Sequence, residues 1–86
     1  MREKIDMPVT VTMCFDHKTR TVKPVEVIWE GREYEVSKVG MHHTYRRGRT
    51  LCHVFSVVAG AMFFRLVLDS ENLHWRLEEV SDGVAF

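Results

Sequence analysis

The chain has no hydrophobic run long enough for a membrane helix. Its longest nearly apolar stretch, residues 54–64, is interrupted by Ser56 and falls far short of the roughly 20 residues that span a bilayer. It also has no excess charge of either sign. Twelve Lys and Arg balance twelve Asp and Glu, which argues against a protein that holds nucleic acid mainly by neutralising many phosphates. Cysteine is scarce: two residues in a chain without an export signal are expected to be reduced, partly buried thiols. The opening string MREKIDMP places charge where a signal peptide would need its apolar region, so a cytoplasmic location is expected. There is no glycine-rich phosphate loop, no H-E-x-x-H and no G-x-S-x-G, and the motif-borne enzyme classes go with them. Repeats, linkers and low-complexity segments are likewise missing.

What remains is the composition of an ordinary globular chain, 45% apolar and 28% charged over 86 residues, enough for a single domain with one modest core. The charge is unevenly placed. Residues 1–49 carry ten basic against seven acidic side chains, and residues 50–86 carry two against five. A mildly basic and a mildly acidic side would follow, or a surface complementary to a second copy.

The most strongly patterned stretch is Pro24 to Val39. Val25, Val27 and Trp29 alternate with Glu26, Ile28 and Glu30, a turn follows at Gly31, and Tyr34 and Val36 alternate on the return. This predicts a β-hairpin. A Gly31-Arg32 loop would pair Trp29 with Tyr34, whereas a Glu30-Gly31 loop would pair Val27 with Tyr34. In either register Val25, Val27, Trp29, Tyr34 and Val36 share a face, the expected core face.

A charged leader over 1–6 precedes a strand in which Met7, Val9, Val11, Met13 and Phe15 alternate with polar or small residues. Residues 16–20 read as a turn. Met41, His43 and Tyr45 alternate before the tip Arg46-Arg47-Gly48-Arg49. In 51–58 and 61–68 apolar side chains fall on both parities, a pattern that needs cover on both faces. A turn at 69–72 leads to Leu73, Trp75 and Leu77, and residues 81–86 form a tail. The whole predicts an all-β domain, a six- or seven-stranded antiparallel meander curled into a small barrel or sandwich. Helix over 59–68 or 70–80 is the alternative, since both also fit a helical apolar face.

Several residue sets could carry function. His42, His43, Tyr45, Arg46, Arg47 and Arg49 put basic and stacking side chains around one loop, 42–49. Lys18, Arg20 and Lys23 make a second basic loop, 17–23. Small β-barrels bind single strands with such loops, although hairpin tips are also charged simply because they are solvated. Ile28, Val54, Phe63 and Val67 are surplus to one core and are expected on outward faces, where they would serve a homodimer or partner interface. Cys14, His17, His43 and His53 would be the candidate metal set. Adjacent strand residues point to opposite faces, however, so neither His42-His43 nor Cys52-His53 can give both side chains to one site. The same geometry separates Cys52 from His53 as nucleophile and base. No metal, no cofactor and no enzymatic activity are expected.

The strings P-V-E-V-I-W-E-G-R-E-Y-E-V, F-F-R-L-V-L-D and L-H-W-R-L-E-E-V, within residues 24–80, resemble a pattern in short uncharacterised bacterial proteins. These are similar to the small domain of unknown function sometimes encoded beside Y-family DNA polymerases. The resemblance implies a bacterial, cytoplasmic binding module and, by association, DNA. It implies no site residues.

Overall fold

The computed structural model describes residues 2–82. Eight strands account for nearly all of them: β1 (Arg2–Pro8), β2 (Thr10–Asp16), β3 (Thr21–Trp29), β4 (Arg32–Glu35), β5 (Lys38–Arg47), β6 (Thr50–Ala59), β7 (Met62–Asp69) and β8 (His74–Asp82). They form a five-stranded sheet in the order β1-β8-β7-β6-β5 and a three-stranded sheet in the order β2-β3-β4, and every pairing is antiparallel.

The all-β antiparallel class is as expected, but there are eight strands rather than six or seven, and no sheet closes into a barrel. The extra strand comes from the N-terminus. The residues read as a charged leader pair with β8, Glu3 opposite Val80 and Lys4 opposite Glu79, and the expected first strand breaks at Val9, where the chain leaves one sheet for the other. Charge does not prevent this because β1 is an edge strand with solvated side chains. Ser81 and Asp82, read as tail, extend β8, while residues 83–86 of that tail lie outside the described residues. The helical alternatives do not occur. Residues 59–68 hold the Gly60-Ala61 turn and most of β7, and residues 70–80 hold a turn and most of β8.

Two corners join the sheets. At one, Val9 N–H donates to Trp75 O at 3.1 Å; at the other, Val36 N–H donates to Val25 O at 2.9 Å and Ser37 N–H to Val58 O at 2.8 Å. Strands that change sheet at a bend are the usual way to make such a corner. The result is a sandwich with hydrogen-bonded corners.

The β3–β4 hairpin takes the Glu30-Gly31 register, with Val27 opposite Tyr34 and Trp29 opposite Arg32. Both loop residues have positive φ, 51° at Glu30 and 75° at Gly31, the requirement of the hairpin turn whose twist matches its strands. Val27 is fully buried, and Trp29, Tyr34 and Val36 pack against the core. Val25 does not join them. The β2–β3 register shifts between Thr12 and Met13, and Pro24 is buried instead. Facing this sheet are Phe55, Val57, Phe64, Leu66, Leu68, Trp75 and Leu77. Phe64 is the hinge of the packing, edge-on to both Trp29 (centroids 6.0 Å apart) and Tyr34 (5.0 Å).

The other parity of β6 and β7 has no second sheet over it. Cys52, Val54 and Val67 are buried there all the same. Side chains of the same outer face cover them: Tyr45 lies directly cross-strand from Cys52, and Arg76 from Val67. Long stems shielding apolar neighbours meet the need that the doubly apolar pattern signalled.

Candidate functional site

Two turns and the end of β1 meet at one end of the five-stranded sheet. Ser70, in the β7–β8 turn, donates from its N–H (3.2 Å) and its hydroxyl (2.6 Å) to Leu51 O, and Thr50 Oγ1 donates to Glu71 Oε2 at 2.8 Å, which ties that turn to the base of the β5–β6 hairpin. β1 ends at the same place, Pro8 lying opposite Arg76 near the start of β8. β2 sets out from there, and its Val11 lines one groove with Arg47 and Leu73.

The 42–49 loop forms the β5–β6 tip at this end, and the 17–23 loop spans the β2–β3 turn. Among the described residues Lys18, Arg20, Lys23, Arg46 and Arg49 have no ion-pair partner. Arg47 has one, Asp69, at 3.5 Å. Elsewhere the arginines of the five-stranded sheet are held: Arg65 by Glu78 and Glu79 (3.7 and 3.1 Å), Arg76 by Asp6 (2.6 Å), Arg2 by Glu79 (3.6 Å). The hydrogen bond from Arg76 is also what holds the Asp6 carboxyl below its ordinary pKa. Two aromatic rings stand near the unpaired cations. Phe15, cross-strand from Val22 just before the β2–β3 turn, is 62% exposed, and Tyr45, just before the β5–β6 tip, is 41% exposed. Burial and the neighbouring Cys52 thiol raise the Tyr45 hydroxyl above its ordinary pKa, so it stays a neutral hydrogen-bonding group at physiological pH.

The strand alternation divides the 42–49 set. Tyr45 and Arg47 share the outer face with His43. His42 turns to the inner face, where its ring lies parallel to Phe55 with centroids 4.4 Å apart. There it meets His53, the two ring nitrogens 2.9 Å apart. His42 is therefore partly structural, a ring that covers the core. Burial lowers its pKa, as do the nearby His53 and His43.

The candidate interface residues do not form one patch. Ile28 is half-buried on the three-stranded sheet. Val54, Val67 and Phe63 lie on the outer face of the other, Val54 opposite Val67 and Phe63 opposite Val58. Contrary to the expected exposure, Val54 and Val67 are only 4% and 6% accessible, since neighbouring side chains already cover them. Of the candidate metal residues, no three meet, and no group of three or more His, Cys, Asp or Glu among the described residues could hold an ion.

One feature of this end was not legible in the sequence. A groove of about 570 Å³ runs beside the start of β8, with Val11, Val67 and Leu73 supplying apolar walls and Arg47, His74 and Arg76 the polar ones. Its residues come from β1, β2, β5, β6, β7, β8 and the turn before β8, and no local pattern announces them.

No helix among the described residues is long and apolar enough to cross a membrane. No family model, no curated protein and no solved structure matches the chain.

Proposed function

We propose that this chain is a bacterial, cytoplasmic binding module for single-stranded nucleic acid, acting through its two basic loops and without chemistry of its own. The observation that supports this is the contrast in charge pairing. Lys18, Arg20, Lys23, Arg46 and Arg49 have no ion-pair partner among the described residues, whereas Arg2, Arg65 and Arg76 on the five-stranded sheet are each neutralised by a carboxylate. Unpaired cations beside exposed Phe15 and Tyr45 supply both parts of single-strand recognition, a charge track for phosphates and flat rings for bases. A net charge of zero is compatible with this, because the cations are local. The resemblance to a domain encoded beside DNA polymerases points the same way.

The test is fluorescence anisotropy with a short labelled single strand across a salt series. Five engaged cations give a slope of log affinity against log salt of roughly −3.5. Replacing Arg46 and Arg49 with Ala should flatten it by roughly 1.4. Absence of binding at low salt would refute the proposal.

A second reading is self-association, favoured by one observation. β5 is an edge strand, and Met41 on it is 58% exposed. Antiparallel pairing of two β5 edges would cover both; a monomer in sedimentation at high concentration would exclude it.

A further inference from the structure

Two residues outside the tight two-residue hairpin turns carry a left-handed backbone although neither is glycine nor part of a basic loop: Asp6, with φ 51°, and Leu73, with φ 61°. Both serve the groove beside β8. Asp6 sits where the β1–β8 register shifts between Lys4 and Met7, and from there its carboxylate and its carbonyl oxygen accept hydrogen bonds from Arg76 Nη2 at 2.6 and 3.0 Å. That clamp fixes a guanidinium in the groove wall. Leu73 is harder to explain by folding. A β-carbon is unfavourable at positive φ, an exposed leucine gains little from burial, and glycine or asparagine would serve the turn better. Yet Leu73 is held there, 55% exposed, by its N–H bond to Asp69 O at 2.8 Å, and it forms an apolar side of the groove. Strain at a position that stability does not reward is a mark of a binding role.

The remaining walls define the ligand. The volume of about 570 Å³ lies within the range of small-ligand sites. Val11, Val67 and Leu73 offer an apolar slot. His74 and the fixed Arg76 offer flat groups on which a base can stack. Arg47 differs from Arg76: its contact with Asp69 is long, 3.5 Å, and its side chain is 64% exposed, so it can turn to a phosphate. Because Arg47 also belongs to the β5–β6 tip, the groove continues the basic track.

We propose that the groove between Leu73, His74 and Arg76 is a pocket for one unstacked nucleobase of a bound single strand, with Arg47 on its phosphate. This rests on the nucleic-acid reading above and adds to it a reason for excluding duplex, whose bases are not free to enter.

The experiment uses the full chain and a short single-stranded oligonucleotide carrying one 2-aminopurine, with anisotropy and base fluorescence read together. Wild type should change the 2-aminopurine emission on binding and should bind the matching duplex at least tenfold more weakly. Leu73→Gly relieves the backbone and should melt no lower than wild type, yet bind the single strand roughly tenfold more weakly with an unchanged salt slope. Leu73→Asn, which also tolerates the left-handed position, should behave in the same way. If both variants bind as wild type does, with the same emission change and the salt dependence intact, the pocket is disproved and the basic track stands. If wild type binds no oligonucleotide at low salt, both proposals fall.

Discussion

His42 and His53 form an edge-to-edge imidazole pair: Nε2 of one lies 2.9 Å from Nδ1 of the other, with the rings within 19° of a common plane and their centroids 5.1 Å apart. One nitrogen must donate and the other accept, so the hydrogen bond exists only while the accepting ring is unprotonated. The pair rests on Phe55, which is itself in contact with Trp75 in the core.

Stability should therefore fall in acid. Burial, with His53 and His43 nearby, lowers the pKa of His42 in the folded chain below the ordinary 6.5. The unfolded state then binds more protons as pH falls, so the stabilisation is complete above about 6.5 and is lost as pH drops through the lower folded value. Thermal melting between neutral and mildly acidic pH should show a declining midpoint. His42→Phe, which keeps a ring on Phe55 and removes the titration, should flatten the decline; an unchanged pH profile would contradict this account.

The Glu30-Gly31 turn should respond oppositely at its two positions. Glu30 has φ 51° and carries a β-carbon, so Glu30→Asn or Glu30→Gly should stabilise the fold by about 0.5–1 kcal/mol. Gly31 has φ 75° with open space around it, so Gly31→Ala meets no clash but acquires the backbone strain and should cost about 1 kcal/mol. Urea midpoints of the variants would check both signs.

Truncating Phe64 should remove more stability than any surface change. It is fully buried and makes edge contacts with Trp29 and Tyr34, bridging the two sheets. Phe64→Ala should cost about 3–5 kcal/mol, a large share of the stability of a domain this size. Equilibrium denaturation would measure it, and a loss below about 1 kcal/mol would mean that the sheets do not pack through this ring.

Val67 separates an interface role from a packing role. It is 6% accessible in the single chain. Val67→Ala should therefore destabilise by about 2 kcal/mol at any protein concentration, as buried methyl groups do. An effect that grew on dilution, with a change in sedimentation, would show instead that a second copy covers it.

The strands from β3 to β8, most of their turns, and the core placement of Val27, Trp29, Tyr34 and Val36 follow from the sequence alone, because period-2 alternation and positive-φ turn residues are local properties. Alternation alone puts Val27, Trp29 and Tyr34 in the core and allows two hairpin registers. Which register forms, Val27 opposite Tyr34, is likewise local in origin but needed the structure to choose it. The basic loops at 17–23 and 42–49 were also legible, since their charge is contiguous in the chain.

Tertiary structure alone decided the rest. That residues 2–8 are a strand depended on β8, far along the chain, with Arg2 opposite Ser81 and Pro8 opposite Arg76, offering its free edge. Val54 and Val67 sit on an outward face, as their parity implies, yet are buried by Tyr45, Arg76 and their neighbours, and exposure is a property of surroundings that no residue carries by itself. The His42–His53 pair, the Arg76–Asp6 clamp and the groove beside Leu73 each join residues from different strands across pairings set by the sheet order. The scarcity of long apolar runs and the even balance of charge bounded what the chain could be. Which side chains meet was determined by how two sheets, sharing two corners, fold over one core.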